Sequence, residues 1–384
     1  MKPVFLVPAW CLLLIGSATA AVEVEVYPES KEDALPLFRS WAAEHDRRYK
    51  SQEELETRFT AFLNNLKYIN SLNLQHRGET VFAVNQFADM SPEEFRQKVL
   101  MPSRKSPLHP PSRYMTVPTV VDPLPDSFDW TDKHMVTAVK DQGTVGTCWA
   151  FSTIGNIEGQ WAMQGKPLTN LSVEQVVDCD GTKDPAEMRA DCGVFGGWPY
   201  LAYQYVKQAG GIESWTDYWY CSGIGGGKGT CFPCPAKGYN ATLCGPKVPY
   251  CLKNESCAAK LDPSKFVSGL KVTDWKAISE NETEIAQALI STGPLSVALD
   301  ATMLQFYRRG VFAPILGCSK TALDHAVLIV GFGVEKGLFE KKPYWKVKNS
   351  WGPKWGQDGY FLIKRGTGEC GINTQVTTAV LAKS

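Results

Sequence analysis

The chain has 384 residues, 44% of them hydrophobic and 21% charged, the composition of a soluble globular protein long enough for more than one domain. Lysine plus arginine and aspartate plus glutamate each total 40, for a formal net charge of zero. With no basic block, the charge pattern argues against a nucleic-acid partner or an anionic membrane surface.

Lys2, the apolar stretch 4–15 and the small-x-small Ala18-Thr19-Ala20 predict a signal peptide over residues 1–20. The alternative is a membrane anchor. The apolar run is too short to cross about 30 Å of hydrocarbon as a helix, and no later stretch is long and apolar enough to span. The expected destination is the secretory pathway, with a lysosomal, endolysosomal or extracellular end point. Residues 34–100 read as helical and charged. Phe59, Phe62, Leu66, Ile69 and Leu72 fall at helical spacing and define one apolar stripe. Residues 101–125 are rich in proline and read as an extended linker that is easily cut.

A compact domain is expected from about Asp126, giving a propeptide over 21–122 and a main domain over 123–384. The segment 149–164 predicts a helix, closed by Gly165 and Pro167. Residues 221–257 carry six cysteines and few aliphatic residues, the pattern of a disulfide-stapled insertion without its own core. Strand-like runs follow at 295–299, 326–332, 344–348, 359–364 and 376–381. A helical half before a strand-rich half predicts an α+β fold with two lobes. Asn170, Asn240, Asn254 and Asn281 each open an N-x-S/T sequon and are candidate glycosylation sites.

Of twelve cysteines, Cys11 leaves with the signal peptide; the remaining eleven are an odd number, which implies an unpaired thiol in an oxidising compartment. Cys148 is the candidate. It follows a glycine-rich turn and starts a helix, where the positive end of the helix dipole favours thiolate. A thiol nucleophile needs a base that also serves as proton donor. His45, His76 and His109 lie in the propeptide; His134 sits in a polar turn; His325 stands at the mouth of a strand. Asn349 follows another strand and is placed to accept from the His325 ring N–H, with Trp351 screening that bond. The Gln142 side chain and the Cys148 N–H are local donors for an oxyanion. Taken singly, Cys148 could be another bridged cysteine, His325 a surface histidine and Asn349 a turn residue.

Together, the segments Val145-Gly146-Thr147-Cys148-Trp149, Asp324-His325-Ala326 and Asn349-Ser350-Trp351-Gly352, with Gln142 upstream, closely resemble the papain family of cysteine peptidases. Glu54, Arg58, Phe62, Asn65, Ile69 and Asn73 resemble the family's cathepsin L-type inhibitory prodomain, and Asn85, Phe87 and Asp89 its second motif. Details near Gln305 and Gly366 look closest to cathepsin F-like members. The resemblance implies a papain-like two-lobed fold, with a helical left lobe and a β-barrel-like right lobe behind a helical propeptide. It implies a secreted zymogen of a cysteine endopeptidase in which Cys148 is nucleophile, His325 base and acid, Asn349 the orienting group and Gln142 an oxyanion donor. Its partners would be protein and peptide substrates and its own propeptide as inhibitor; a monomer is expected, with no cofactor and no metal. Gly196 and Gly197 would pair with the substrate backbone. Trp198, Pro199, Ala298 and Leu323 would line an apolar pocket for the residue two before the cut (P2), and Trp351 the leaving-group side.

The resemblance also implies a Cys318–Cys370 bridge and a partner for Cys179 near Cys221. Two departures matter. Val145 stands where the family usually has the cysteine that pairs at the position of Cys192. Cys148 and His325 are 177 positions apart (325 − 148), beyond the roughly 130–150 typical of the family, an excess about the size of the insertion. Cys231-x-x-Cys234 reads as structural disulfide chemistry in preference to a zinc half-site or redox motif. Two other readings stay open: a catalytically silent binding protein on the same scaffold, and an exopeptidase whose cleft the insertion restricts.

Overall fold

A computed structural model describes residues 24–120, 122–223, 231, 234–245, 252–314, 317–336 and 341–383; the expected signal peptide lies outside them. The chain divides into two compact units, Met1–Ser91 with Phe306–Gly310, and Pro92–Gln305 with Val311–Ser384.

The first unit is built on two helices, Lys31–Glu44 and Gln52–His76. Each starts on a serine whose hydroxyl accepts a backbone N–H in the first turn, Ser30 from Asp33 and Ser51 from Glu54, both at 3.1 Å, satisfying donors that the helix itself leaves open. The longer helix buries Phe62, Leu66, Ile69 and Leu72, the stripe its spacing predicts. Phe38 and Trp41 of the shorter helix pack on Phe62 at centroid distances of 5.2 and 5.3 Å. The asparagines on this face are buried and bonded. Asn65 Nδ2 donates to the Ala88 and Met90 carbonyls at 2.8 and 2.9 Å. Asn73 exchanges two hydrogen bonds with the backbone of Phe82. Strand Thr80–Phe82 then pairs antiparallel with residues 307–310.

In the second unit, helix Cys148–Met163 is buried on almost every face, not on one side as the sequence suggested; a helix that is apolar all round belongs at the centre of a core. It lies against strand His325–Lys336, where Gly155 admits Leu328 and Gly159 admits Pro294. Ser152 Oγ donates to the Val327 carbonyl at 2.6 Å, and Asn156 bonds both Pro294 O and Ala379 N–H. The helix therefore holds its first residue at a fixed place on the strand that begins with His325. Helices Val173–Cys179 and Pro199–Ala209 complete the helical side.

The strands form one open path. Residues 311–312 run parallel to Tyr360–Lys364; the path continues through Lys341–Lys348, His325–Lys336, Leu295–Leu299, Val376–Leu381 and Val272–Ile278, all antiparallel. No pairing among the described residues closes it, so the barrel-like half expected from the resemblance is an open sheet. Its Val272–Ile278 edge is covered by the chain itself: Tyr114 bridges Ala277, and Met115 N–H donates to Ala277 O at 2.9 Å. Such cover removes an edge that would otherwise invite intermolecular pairing.

The linker differs from its sequence reading. Its first half is docked in the second unit, through strand Arg104–Lys105 on Ala322–Leu323 and an Arg113–Asp274 ion pair at 2.7 Å. Further on, residues 116, 118–120, 122, 123 and 125–127 are exposed.

The disulfides also require a correction. Cys318 bonds Cys370. Cys179 does not pair with Cys221: it bonds Cys257, and Cys221 bonds Cys231, with Cα–Cα separations of 5.0 and 5.3 Å. The insertion brings its own cysteines within the short reach a disulfide demands. Cys192, lacking a thiol at Val145, bonds Cys244 of the insertion. Cys234 is also disulfide-bonded, so Cys231-x-x-Cys234 offers no thiolate pair to a metal. Cys148 is the free cysteine among the described residues. Of the sequon residues, Asn170, Asn254 and Asn281 are exposed and Asn240 is partly so.

Candidate active site

Cys148 opens its helix behind Thr147, whose side chain makes no cap hydrogen bond. At the helix start the Cys148 and Trp149 N–H groups act on the sulfur, while those of Ala150 and Phe151 donate to Thr147 O. Across from it, Ala326 N–H points to Cys148 Sγ at 3.5 Å, which sets the thiol beside the backbone of His325. His325 Nε2 and Asn349 Oδ1 are 2.8 Å apart. With Asn349 Oδ1 accepting, the ring proton sits on Nε2 and Nδ1 carries the lone pair; Nδ1 is buried and reached by no hydrogen-bond partner among the described residues. Trp351 stacks on the imidazole at 4.7 Å and 29°. His134 is exposed at a positive φ of 55°, outside this cluster.

Gln142 is fully buried. Ser350 Oγ donates to its Oε1 at 2.6 Å, which fixes the amide and aims Nε2 at the Val145 and Val99 carbonyls, 2.7 and 2.9 Å away. Ser350 was not singled out from the sequence, although it lies within the Asn349 motif. Val99, Leu100 and Met101 were missed as site residues too; their signal was an apolar triplet between a charged helix and a proline-rich linker.

Those three residues cover the site. From Phe95 to Arg104 the chain passes Trp351, Gln142, the glycines and Leu323 in order. Phe95 meets Trp351 edge-on at 5.3 Å. Met101 N–H donates to Asp324 O at 2.8 Å, and Gly197 N–H approaches Met101 Sδ at 3.4 Å. A Cβ on Gly196 would sit 3.1 Å from Met101 Cβ, so glycine is needed for that approach. Met101 shares one buried apolar cluster with Cys148, Trp198, Ala298 and Leu323. Pro199 is buried at the first position of its helix.

Burial dominates the electrostatics of this covered state. It pushes the Cys148 thiol up to about 12, against the pull of the Ala326, Trp149 and Cys148 N–H groups. It pushes the His325 imidazole down to about 4, against its bond to Asn349. Low dielectric disfavours both charged forms, so the covered pair is a neutral thiol and a neutral imidazole. Beside them, burial and the Asp300 carboxylate push Asp324 up to about 7.

A lone buried thiol at a helix start, an imidazole oriented by an amide, and a segment of the same chain lying over both define a cysteine peptidase held as a zymogen. The comparisons agree. Residues 124–380 match the papain family cysteine protease pattern, and residues 38–95 match the cathepsin propeptide inhibitor domain. This chain belongs to the papain family of cysteine proteases. It is 36% identical to cysteine proteinase 15A of Pisum sativum over 90% of this chain and 86% of that protein. It is 34% identical to cathepsin F of Mus musculus, again over 90% of this chain but 65% of the relative, and 34% identical to cathepsin F of Drosophila melanogaster over 50% of that relative. The chain thus spans between half and two thirds of those two proteins. Among solved structures, it is similar to digestive procathepsin L 3 of Tenebrio molitor larval midgut, with a TM-score of 0.69 at 30% identity, covering 90% of this chain and 99% of that one. It is also similar to a recombinant stem bromelain precursor, with a TM-score of 0.67 at 30% identity, covering 90% and 98%.

Proposed function

We propose that the processed enzyme is an endopeptidase, with Cys148 as nucleophile, His325 as base and acid, Asn349 as orienting group and Gln142 as oxyanion donor. The observation that carries this reading is the buried sequence Cys148 Sγ, Ala326 N–H, His325 and Asn349 Oδ1, joined at 3.5 and 2.8 Å. Once the covering segment leaves, His325 Nδ1 is the atom free to take the thiol proton. The thiolate attacks the scissile carbonyl, and the oxyanion that forms accepts from Gln142 Nε2 and the Cys148 N–H. In the zymogen, the Val99 carbonyl oxygen stands in for that substrate oxygen at Gln142. His325 then protonates the leaving amine, and water, deprotonated by the same imidazole, releases the acyl group.

Met101 occupies the place of a substrate's P2 side chain among Trp198, Ala298 and Leu323, which supports a preference for apolar P2 residues. One methylene in such a pocket discriminates by only about 1–3 kcal/mol, so selectivity is broad. The prosegment runs from Trp351 towards Gly197, opposite to a substrate on this assignment, which keeps its own peptide bonds out of the attack geometry. Conversion takes place by cleavage in the exposed stretch near residues 122–126. Secretion or delivery to an acidic lysosomal compartment follows from the expected signal peptide, the relatives named cathepsin and the buried, neutral His325 whose charging in acid opposes closure. Among the described residues, no helix is long and apolar enough to cross a membrane. We read the enzyme as a monomer. The test is labelling of the acid-processed protein with an epoxide-type thiol inhibitor, followed by peptide mapping. Modification of Cys148 with loss of peptide hydrolysis is the expected result; an unlabelled Cys148 would favour the silent-scaffold reading.

A further inference from the structure

Between Cys179 and Cys192 the chain makes a hairpin, with Lys183–Asp184 paired to Arg189–Ala190. Asp184 builds the turn: its Oδ1 accepts from Ala186 N–H at 3.2 Å and Glu187 N–H at 3.3 Å, and its Oδ2 accepts from Tyr200 OH at 3.1 Å. The turn closes at Met188 with a φ of 53°, a left-handed backbone that a residue with a long side chain seldom takes. Such a conformation persists where its surroundings fix it. The next residue, Arg189, is delivered onto Trp198, with its guanidinium carbon 5.5 Å from the ring centre. Trp198 is part of the wall assigned to the P2 pocket.

A guanidinium presents its donors in a rigid fork, with Nε and Nη2 on one edge and Nη1 turned away from it. Arg189 Nη1 donates to the Glu187 and Met188 carbonyls at 2.9 and 3.3 Å, contacts within the hairpin that do not depend on the prosegment. The other edge meets the prosegment. Nη2 donates to Lys105 O at 2.8 Å, and Nε beside it is buried with no hydrogen-bond partner among the described residues. The acids of the hairpin are engaged elsewhere, Asp184 in its own turn and Glu187 through Oε2 with Leu108 N–H at 3.2 Å. The prosegment brings a second cation instead of an acid. Arg104 donates to Leu243 O at 2.9 Å, and burial, followed by the Arg189 charge, holds it below its ordinary value.

We infer that Arg189 is a specificity-determining residue: once the prosegment leaves, its Nε–Nη2 edge takes the carboxylate of a glutamate or aspartate at P3, P4 or P5 of the substrate. The inference rests on the reading of the processed chain as an endopeptidase with Met101 in the place of P2. The prosegment sets the direction. From Met101 it passes Pro102, whose Cδ would be 3.4 Å from a Cβ on Gly196, and reaches Arg189 at Lys105. Arg189 therefore lies beyond P2, on the amino-terminal side of the cut. The Lys105 carbonyl occupies one of the two N–H groups on the edge. A carboxylate occupies both, in the parallel geometry that arginine favours, with opposite charge added. The Trp198 ring and the two loop carbonyls hold the guanidinium in place without substrate, so little ordering is left for binding. The same unpaired cation disfavours lysine or arginine at these substrate positions.

The experiment measures cleavage by the processed enzyme of N-acetylated peptides that share an apolar P2 residue and carry Glu, Gln or Lys in turn at P3, P4 and P5. It is run at about pH 6, where a substrate glutamate is ionised. At one of these positions kcat/KM for Glu should exceed that for Gln about tenfold, and that for Lys by more. Glu and Gln share a shape, so their ratio reads charge, and a ratio taken within one preparation does not depend on the fraction folded. Arg189→Gln should bring the ratio to about one. Arg189→Lys, which keeps the charge without the fork, should retain part of it, and Arg189→Glu should reverse the order so that Lys is cleaved faster than Glu. Equal rates for Glu and Gln at all three positions in the unmodified enzyme, or a preference that survives Arg189→Gln and Arg189→Glu, would overturn the inference. Failure of the underlying reading looks different. No turnover of any peptide removes the endopeptidase and the inference together, whereas turnover that ignores charge at P3 to P5 removes the inference alone.

Discussion

Acidification should lift residues 99–105 from the site through the charging of His325. Its imidazole is lowered from 6.5 to about 4 by burial in the covered state. A depressed value means that the neutral ring contributes its full share to closure above 6.5, and that this share is lost as pH falls through about 4. At about 1.4 kcal/mol per pH unit, the closed arrangement loses up to roughly 3 kcal/mol between those limits, a shift of about a hundredfold in the opening equilibrium. Asp324, raised to about 7, works in the opposite sense, because its protonated form favours the closed state in acid. The informative quantity is therefore a difference between two chains that share Asp324. Hydrogen exchange of amides in residues 95–105, above all Met101 N–H on Asp324 O, is to be followed from about pH 7 to 4. Both chains carry Cys148→Ala to prevent self-cleavage, and one carries His325→Gln in addition. After correction for intrinsic exchange, the His325 chain should lose about a hundredfold more protection than the His325→Gln chain. Parallel loss in both would refute the assignment of the acid response to His325.

Three other outcomes follow from the same geometry. Met101 is 6% exposed in the apolar cluster, so Met101→Ala should weaken the covering segment by about 2–3 kcal/mol; conversion in acid should be faster, and an unchanged processing rate would remove Met101 as an anchor. Asn349→Ala leaves His325 Nε2 without its acceptor and should lower kcat roughly a hundredfold, with the unfolding midpoint showing that the fold survives. Cys244→Ser opens a bridge with a sequence separation of 52, so the urea midpoint of the processed enzyme should fall by an amount equivalent to no more than about 4 kcal/mol, the other bridges of the insertion limiting the loss.

The candidate site of Cys148, His325 and Asn349 was legible because its members sit in local contexts with their own signals: a glycine turn before Cys148, a strand that starts at His325 and one that ends before Asn349. Strand 376–381 was readable from its β-branched content, and strand 295–299 as a short apolar run after Gly293-Pro294. Helices Glu282–Thr292 and Pro199–Ala209 were not singled out, nor was strand Val272–Ile278. The helical side was read from Cys148–Met163 alone, and the edge strand mixes charged and apolar residues. The bridges of Cys179 and Cys221 were misassigned because pairing depends on which sulfurs the insertion brings within reach, a long-range property that spacing does not encode. The docked half of the linker was read as free because proline and basic residues look the same in an extended strand against a partner and in solvent.

The reaction of the Cys148 sulfur under the control of His325 is tested most directly by turnover of an apolar-P2 peptide by acid-processed protein and by its Cys148→Ala counterpart, processed in trans and matched for folded content. Hydrolysis by the first and none by the second is the predicted result. Comparable turnover by both would mean that another group carries out the chemistry and that the buried thiol is only part of the core.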